Sequence, residues 1–162
     1  MRWPWIVAAV VLVLDQATKW LVQQSLVYGE SIPVLPPVFN LVRAHNEGVA
    51  FGMLSSAGGW QVPLLLVVTT GVILALGVWL FRLGRRETGT RLALALILGG
   101  AVGNLIDRAR FGHVVDFLDF HWREVYHYPA FNVADSGITV GAVILIAVLI
   151  REERAERREK LR

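Results

Sequence analysis

Asp116 and Asp135 stand 19 residues apart, each beside an apolar run. Two carboxyls that share a site cannot both stay ionised, so one keeps a proton and the pair offers an acid and a base together. If the bend between them returns the chain on itself, such a pair activates a water against an amide carbonyl and then protonates the leaving nitrogen. Asn104 and Arg108 are four residues apart and share one helical face just upstream. Asn132 lies three residues before Asp135, where it reads equally as a plain helix cap with Asp135 at the positive helix end. Asp116 alone reads equally as a loop carboxylate. Asp15 and Lys19 are again four apart, inside the first apolar segment, and pair on one face as a structural lock or as a brace for a site.

Other chemistries are poorly supplied. With no cysteine, thiolate catalysis, disulfides and Cys-based metal sites are excluded. A GxSxG elbow, an HExxH zinc helix and a Walker loop are all missing from the sequence. His45, His113, His121 and His127 lack tight ligand spacing, so neither a metal nor a cofactor is expected.

The elements that must position these residues are membrane spans. The 162-residue chain is 55% hydrophobic, with a mean hydropathy of +0.53, which is too apolar for an ordinary soluble domain. We read one integral membrane domain with helices over about 3–27, 60–81, 90–107 and 133–151. The first is expected to be a retained span, since no small-x-small cleavage site follows its apolar run. Trp60–Phe81 holds 22 residues without a charge, roughly 33 Å as a helix and enough to span. Gly99 and Gly103 form a GxxxG step that lets another backbone approach. Residues 28–59 are broken by prolines and glycines around the β-favouring IPVLPPVFNLVRA, and predict a small strand-rich surface lobe. Within it, Asn46–Gly52 reads as a glycine-permitted turn dipping toward the bilayer or as an ordinary hairpin loop. Residues 109–132 form a link whose DFLDFHWREVYHY reads as a short amphipathic helix in the interface plane. The tail, 152–162, is a solvated, helix-prone charged end.

Basic residues report topology here rather than nucleic acid, which is not an expected partner. Arg2, the four arginines of 82–91 and the six basic residues of 151–162 make 11 on one side, whereas Arg43, Arg108, Arg110 and Arg123 make 4 on the other. The positive-inside rule then places both termini in the cytoplasm and the lobe, Asp116 and the start of the last helix outside.

Five blocks together, DQATK (15–19), NEGVAFG (46–52), GGAVGNLIDR (99–108), GHVVDF (112–117) and FNVAD (131–135), resemble in order and spacing the motifs of bacterial lipoprotein signal peptidase, signal peptidase II. The likeness runs over nearly the whole chain except the tail. It implies a mainly α membrane protein: a four-transmembrane-helix bundle with a small periplasmic β-rich cradle and a short interfacial helix, in the bacterial inner membrane. It implies an aspartyl endopeptidase that cleaves diacylglyceryl prolipoproteins just before the lipidated cysteine. By motif position, Asp116 and Asp135 look like the catalytic dyad. Asn104, Arg108 and Asn132 look like residues that line the site and hold substrate, and Asp15, Lys19 and Asn46 like supporting residues. Asp107 belongs to its block but is assigned no catalytic role. The cyclic peptide globomycin, which blocks this family, is expected in the same pocket. Membrane lipid is the other partner, and the chain is expected to act as a monomer.

Two other classes compete on residues alone. An ion or proton carrier would use Asp15, Lys19 and Asp135 as a relay, but the two halves show no repeat. A non-enzymatic assembly subunit would dock through GxxxG, which leaves the polar residues of three helices without a purpose.

Overall fold

The computed structural model describes residues 2–48, 60–84, 86–123 and 125–160. In chain order the elements are α1 (Trp3–Ser25), β1 (Ser31–Leu35), β2 (Phe39–Asn46), α2 (Gln61–Arg82), α3 (Thr88–Phe111), β3 (Val114–Trp122), β4 (Tyr126–His127) and α4 (Val133–Lys160). All four helices are long and apolar enough to cross a membrane, close to the expected spans. The last continues unbroken into the charged tail, whose side chains are exposed.

α3 is the helix the others are built on. Most of its apolar stretch is buried, whereas α1, α2 and α4 leave most of theirs on the outer surface. Small residues make this possible. A Cβ on Gly99 would come within 2.5 Å of the Ala8 carbonyl oxygen of α1, and one on Gly141 within 2.7 Å of the Ala93 carbonyl oxygen of α3. The GxxxG step therefore serves α1, while Gly100 faces the backbone of α4 at Ala134. Leu80 of α2 seals the remaining side against Leu94 and Leu98. Gly112, at φ 76°, ends α3 in the left-handed conformation that favours glycine and turns the chain into β3.

The strands form one antiparallel ladder in the order β1-β2-β3-β4. The strand-rich lobe is thus present, and it recruits a partner the sequence reading did not foresee. Residues 118–128, expected as a short interfacial helix, are instead the end of β3, a turn and β4. The physical reason lies in their period. From Asp119 to Trp122 burial alternates, with Asp119 and His121 inside and Phe120 and Trp122 outside, the two-residue repeat of a strand. The inward polar face finds partners across the sheet: Asn40 Nδ2 donates to Asp119 at 3.3 Å, and His127 Nδ1 lies 3.0 Å from the same carboxylate. The turn expected over Asn46–Gly52 lies, beyond Gly48, outside the described residues.

Candidate active site

The site is assembled where α1, α3, β3 and the start of α4 meet. β2 and β3 pair with Ala44 opposite Asp116 and Asn46 opposite Val114, so Asn46 and Asp116 are diagonal neighbours on one face. Asn46 Nδ2 donates to Asp116 Oδ2 at 3.2 Å. The other oxygen of Asp116 accepts from Asn132 Nδ2 at 2.7 Å.

Asn132 and Asp135 cap α4 reciprocally. The Asp135 N–H donates to Asn132 Oδ1 at 2.9 Å, and the Asn132 N–H donates to Asp135 Oδ2 at 3.3 Å, the pattern of a capping box. A third orphan donor of this helix end, the Ala134 N–H, is taken by Asp15 Oδ1 of α1 at 2.9 Å. The cap reading of Asn132 and Asp135 is therefore correct as geometry, and it holds Asp135 rigidly rather than exhausting it. Asp135 Oδ1 accepts from Asn104 Nδ2 of α3 at 2.8 Å. Among the described residues each of the four carboxyl oxygens of Asp116 and Asp135 thus has a neutral donor, and Asn132 touches both residues.

Behind the dyad lies a buried ion cluster. The Lys19 ammonium is 2.9 Å from Asp15 Oδ2 and 2.9 Å from Asp107 Oδ2, and donates to Asn104 Oδ1 at 2.9 Å. All three charged groups are at most 2% exposed. Burying one ammonium is tolerable because all three of its protons have acceptors. Because lysine cannot accept, it also dictates which way the Asn104 amide points.

Two features set the electrostatics at the sheet side of the site. Burial, and next the neighbouring Asp135 charge, push the Asp116 carboxyl up from 3.8 to about 7. His45 and His113 stack with ring centroids 3.7 Å apart, and burial lowers both below the ordinary 6.5, with Arg43 adding to the effect. Among the described residues, no three His, Asp or Glu side chains converge in a way that could hold a metal ion.

Asp135 lines a groove of about 630 Å³ together with Asn46, Arg108, Tyr128, Phe131 and the apolar Ile138 and Val140 of α4. The half-buried Arg108 donates to the Gly48 carbonyl at 2.7 Å. All eight residues singled out from the sequence, namely Asp15, Lys19, Asn46, Asn104, Arg108, Asp116, Asn132 and Asp135, are brought into this one region. Sequence reasoning missed Gln16, whose Nε2 donates to Asp107 Oδ1 at 2.9 Å and to the Gly103 carbonyl at 3.2 Å. It also gave no role to Asp107. The available signal was spacing, since Asp107 follows Asn104 by three residues and so shares its helical face.

The family model described as Signal peptidase (SPase) II matches residues 7–151. The lipoprotein signal peptidase of Pseudomonas putida is 47% identical over 156 residues, 96% of this chain and 91% of the relative. That of Tolumonas auensis is 48% identical over 149 residues, 90% of this chain and 88% of the relative. Among solved structures, a bacterial membrane enzyme determined by the in meso method at 2.3 Å superposes with a TM-score of 0.83 at 30% identity, covering 93% of this chain and 88% of that one. A second, at 1.9 Å, gives 0.78 at 31% identity, with 90% and 91% covered.

Proposed function

Because this chain belongs to the signal peptidase II family, we propose that it is an aspartyl endopeptidase that removes the signal peptide of diacylglyceryl-modified prolipoproteins, cutting just before the lipidated cysteine. It is a multi-pass membrane protein with four spanning helices. We place it in the bacterial inner membrane with both termini cytoplasmic and the site toward the periplasm. The lysine and arginine asymmetry supports that orientation. The proposed protein acts as a monomer, and globomycin would compete with substrate for the groove.

The observation that carries the reading is the Asn132 bridge. One buried amide holds Asp116 while its residue caps and fixes Asp135, which lines a groove of mixed polar and apolar residues. In the proposed reaction Asp116, raised to about 7 by burial, holds the shared proton, and ionised Asp135 takes a proton from water. The water oxygen bonds to the scissile carbonyl carbon while Asp116 protonates its oxygen. Collapse of the tetrahedral intermediate breaks the C–N bond. The proton held by Asp135 passes to the leaving nitrogen, and the proton on the former carbonyl oxygen returns to the dyad. Arg108 and Asn46 line the path of the peptide backbone, and Ile138 and Val140 the path of the acyl chains.

The test is cleavage of a lipidated prolipopeptide by purified protein in lipid. Asp116→Asn and Asp135→Asn are each expected to abolish it, a loss of at least about 10²–10⁴-fold, with the fold and insertion retained. Full activity in either variant removes the dyad assignment.

A further inference from the structure

Asp107 is buried to 1% exposure and has no part in the proposed bond-breaking. A buried carboxylate without a purpose is expensive. Its three contacts account for it. Oδ1 is held by the Gln16 amide at 2.9 Å. Oδ2 lies 2.9 Å from the Lys19 ammonium and also accepts from the Val115 N–H at 3.1 Å.

Those last two contacts lead to different halves of the dyad. Val115 is the residue before Asp116, so Asp107 reaches across the α3–β3 turn and pins the backbone that presents the Asp116 carboxyl. Lys19 in turn donates to Asn104 Oδ1, which leaves Asn104 Nδ2 to hold Asp135 Oδ1 at 2.8 Å. A single oxygen thus sets the approach of both carboxyls. Catalysis by two groups that share a water is sensitive to displacements of about an ångström.

We propose that Asp107 is a positioning residue for the two-aspartate centre: through Val115 it aims Asp116, and through Lys19 and Asn104 it aims Asp135. This rests on the dyad reading above. Asp107 is buried with both oxygens engaged by Gln16, Lys19 and Val115, so substrate affinity is not its business.

The experiment measures kcat and KM on a lipidated prolipopeptide for the unsubstituted protein, Asp116→Asn, Asp107→Asn, Gln16→Leu, Lys19→Met and Asp107→Asn/Lys19→Met, with thermal unfolding of each. Asp107→Asn keeps the shape but cannot accept from Lys19, Gln16 and Val115 together. Its kcat is expected to fall about 10–100-fold with KM within two-fold. Gln16→Leu leaves the charge and removes one restraint, for a few-fold loss in kcat alone, and reports on the idea even if Asp107→Asn folds poorly. The double variant is expected to lose less than the product of the two single losses, because Asp107 and Lys19 share the path to Asp135 while the Val115 contact belongs to Asp107 alone. A kcat within two-fold in Asp107→Asn, a KM that rises as kcat falls, or losses that multiply in the double variant each overturn the proposal. An inactive Asp116→Asn beside a fully active Asp107→Asn overturns this inference alone. A fully active Asp116→Asn overturns the dyad reading and this inference with it.

Discussion

Gly103→Ala puts opposing effects at one atom. Alanine in a helix interior is favoured over glycine by about 1 kcal/mol. At position 103 the added Cβ meets the Asp15 carboxylate, overlapping Oδ2 and lying 3.1 Å from Cγ. Asp15 has little freedom to retreat, because Oδ1 accepts from the Ala134 N–H at 2.9 Å and Oδ2 pairs with Lys19 at 2.9 Å. Breaking a buried pair costs about 3–5 kcal/mol, so the net expectation is a loss of about 2–4 kcal/mol. For a domain of this size that lowers Tm by roughly 5–15 °C. The assay is thermal unfolding of purified protein in detergent, with Gly71→Ala beside it. A Cβ at Gly71 meets nothing within 4 Å, so that variant should gain up to about 1 kcal/mol. Cleavage by Gly103→Ala should also slow by about ten-fold, since a displaced Lys19 loosens Asn104. A Tm equal to or above that of the unsubstituted protein would show that the Asp15–Lys19 pair does not brace this site.

Asp116 makes a second, pH-dependent prediction. Its folded pKa of about 7 lies above its ordinary 3.8, so the folded state binds more protons between these values and its stability falls as pH rises through that window. Asp116→Asn should therefore raise Tm more at pH 8 than at pH 5, with at most about 4 kcal/mol available from the shift; equal effects at both pH values would refute the assignment. Arg108→Gln removes the guanidinium from the groove wall. It should raise KM about ten-fold, the effect of losing one charge-assisted hydrogen bond, and an unchanged KM would take Arg108 out of substrate holding.

Legibility in the sequence followed from range. The helices were readable because apolarity is a sum over neighbours: Gln61–Arg82 and Thr88–Phe111 lie within a few residues of their expected spans. Pairing at a spacing of four was equally local, and Asp15–Lys19 forms as expected. Asp107 and Gln16 were not readable, because their significance lies in contacts made 91 residues apart in the chain. Residues 118–128 were misread for the same reason. Their polar face looked like the wet side of an interfacial helix until Asn40, 79 residues upstream of Asp119, was placed against it.

The sequence by itself determined that there are four apolar spans, and that the carboxylates between them must face inward, since lipid cannot solvate charge. It also determined, by the blocks it carries, which family they resemble. Only the tertiary structure decided which donor each oxygen of Asp116 and Asp135 would meet, and that one lysine and one asparagine would orient the rest. Hydropathy is a local property that adds along the chain. A hydrogen bond depends on strand register and on how closely two helices approach, and here glycines of α3 set that approach.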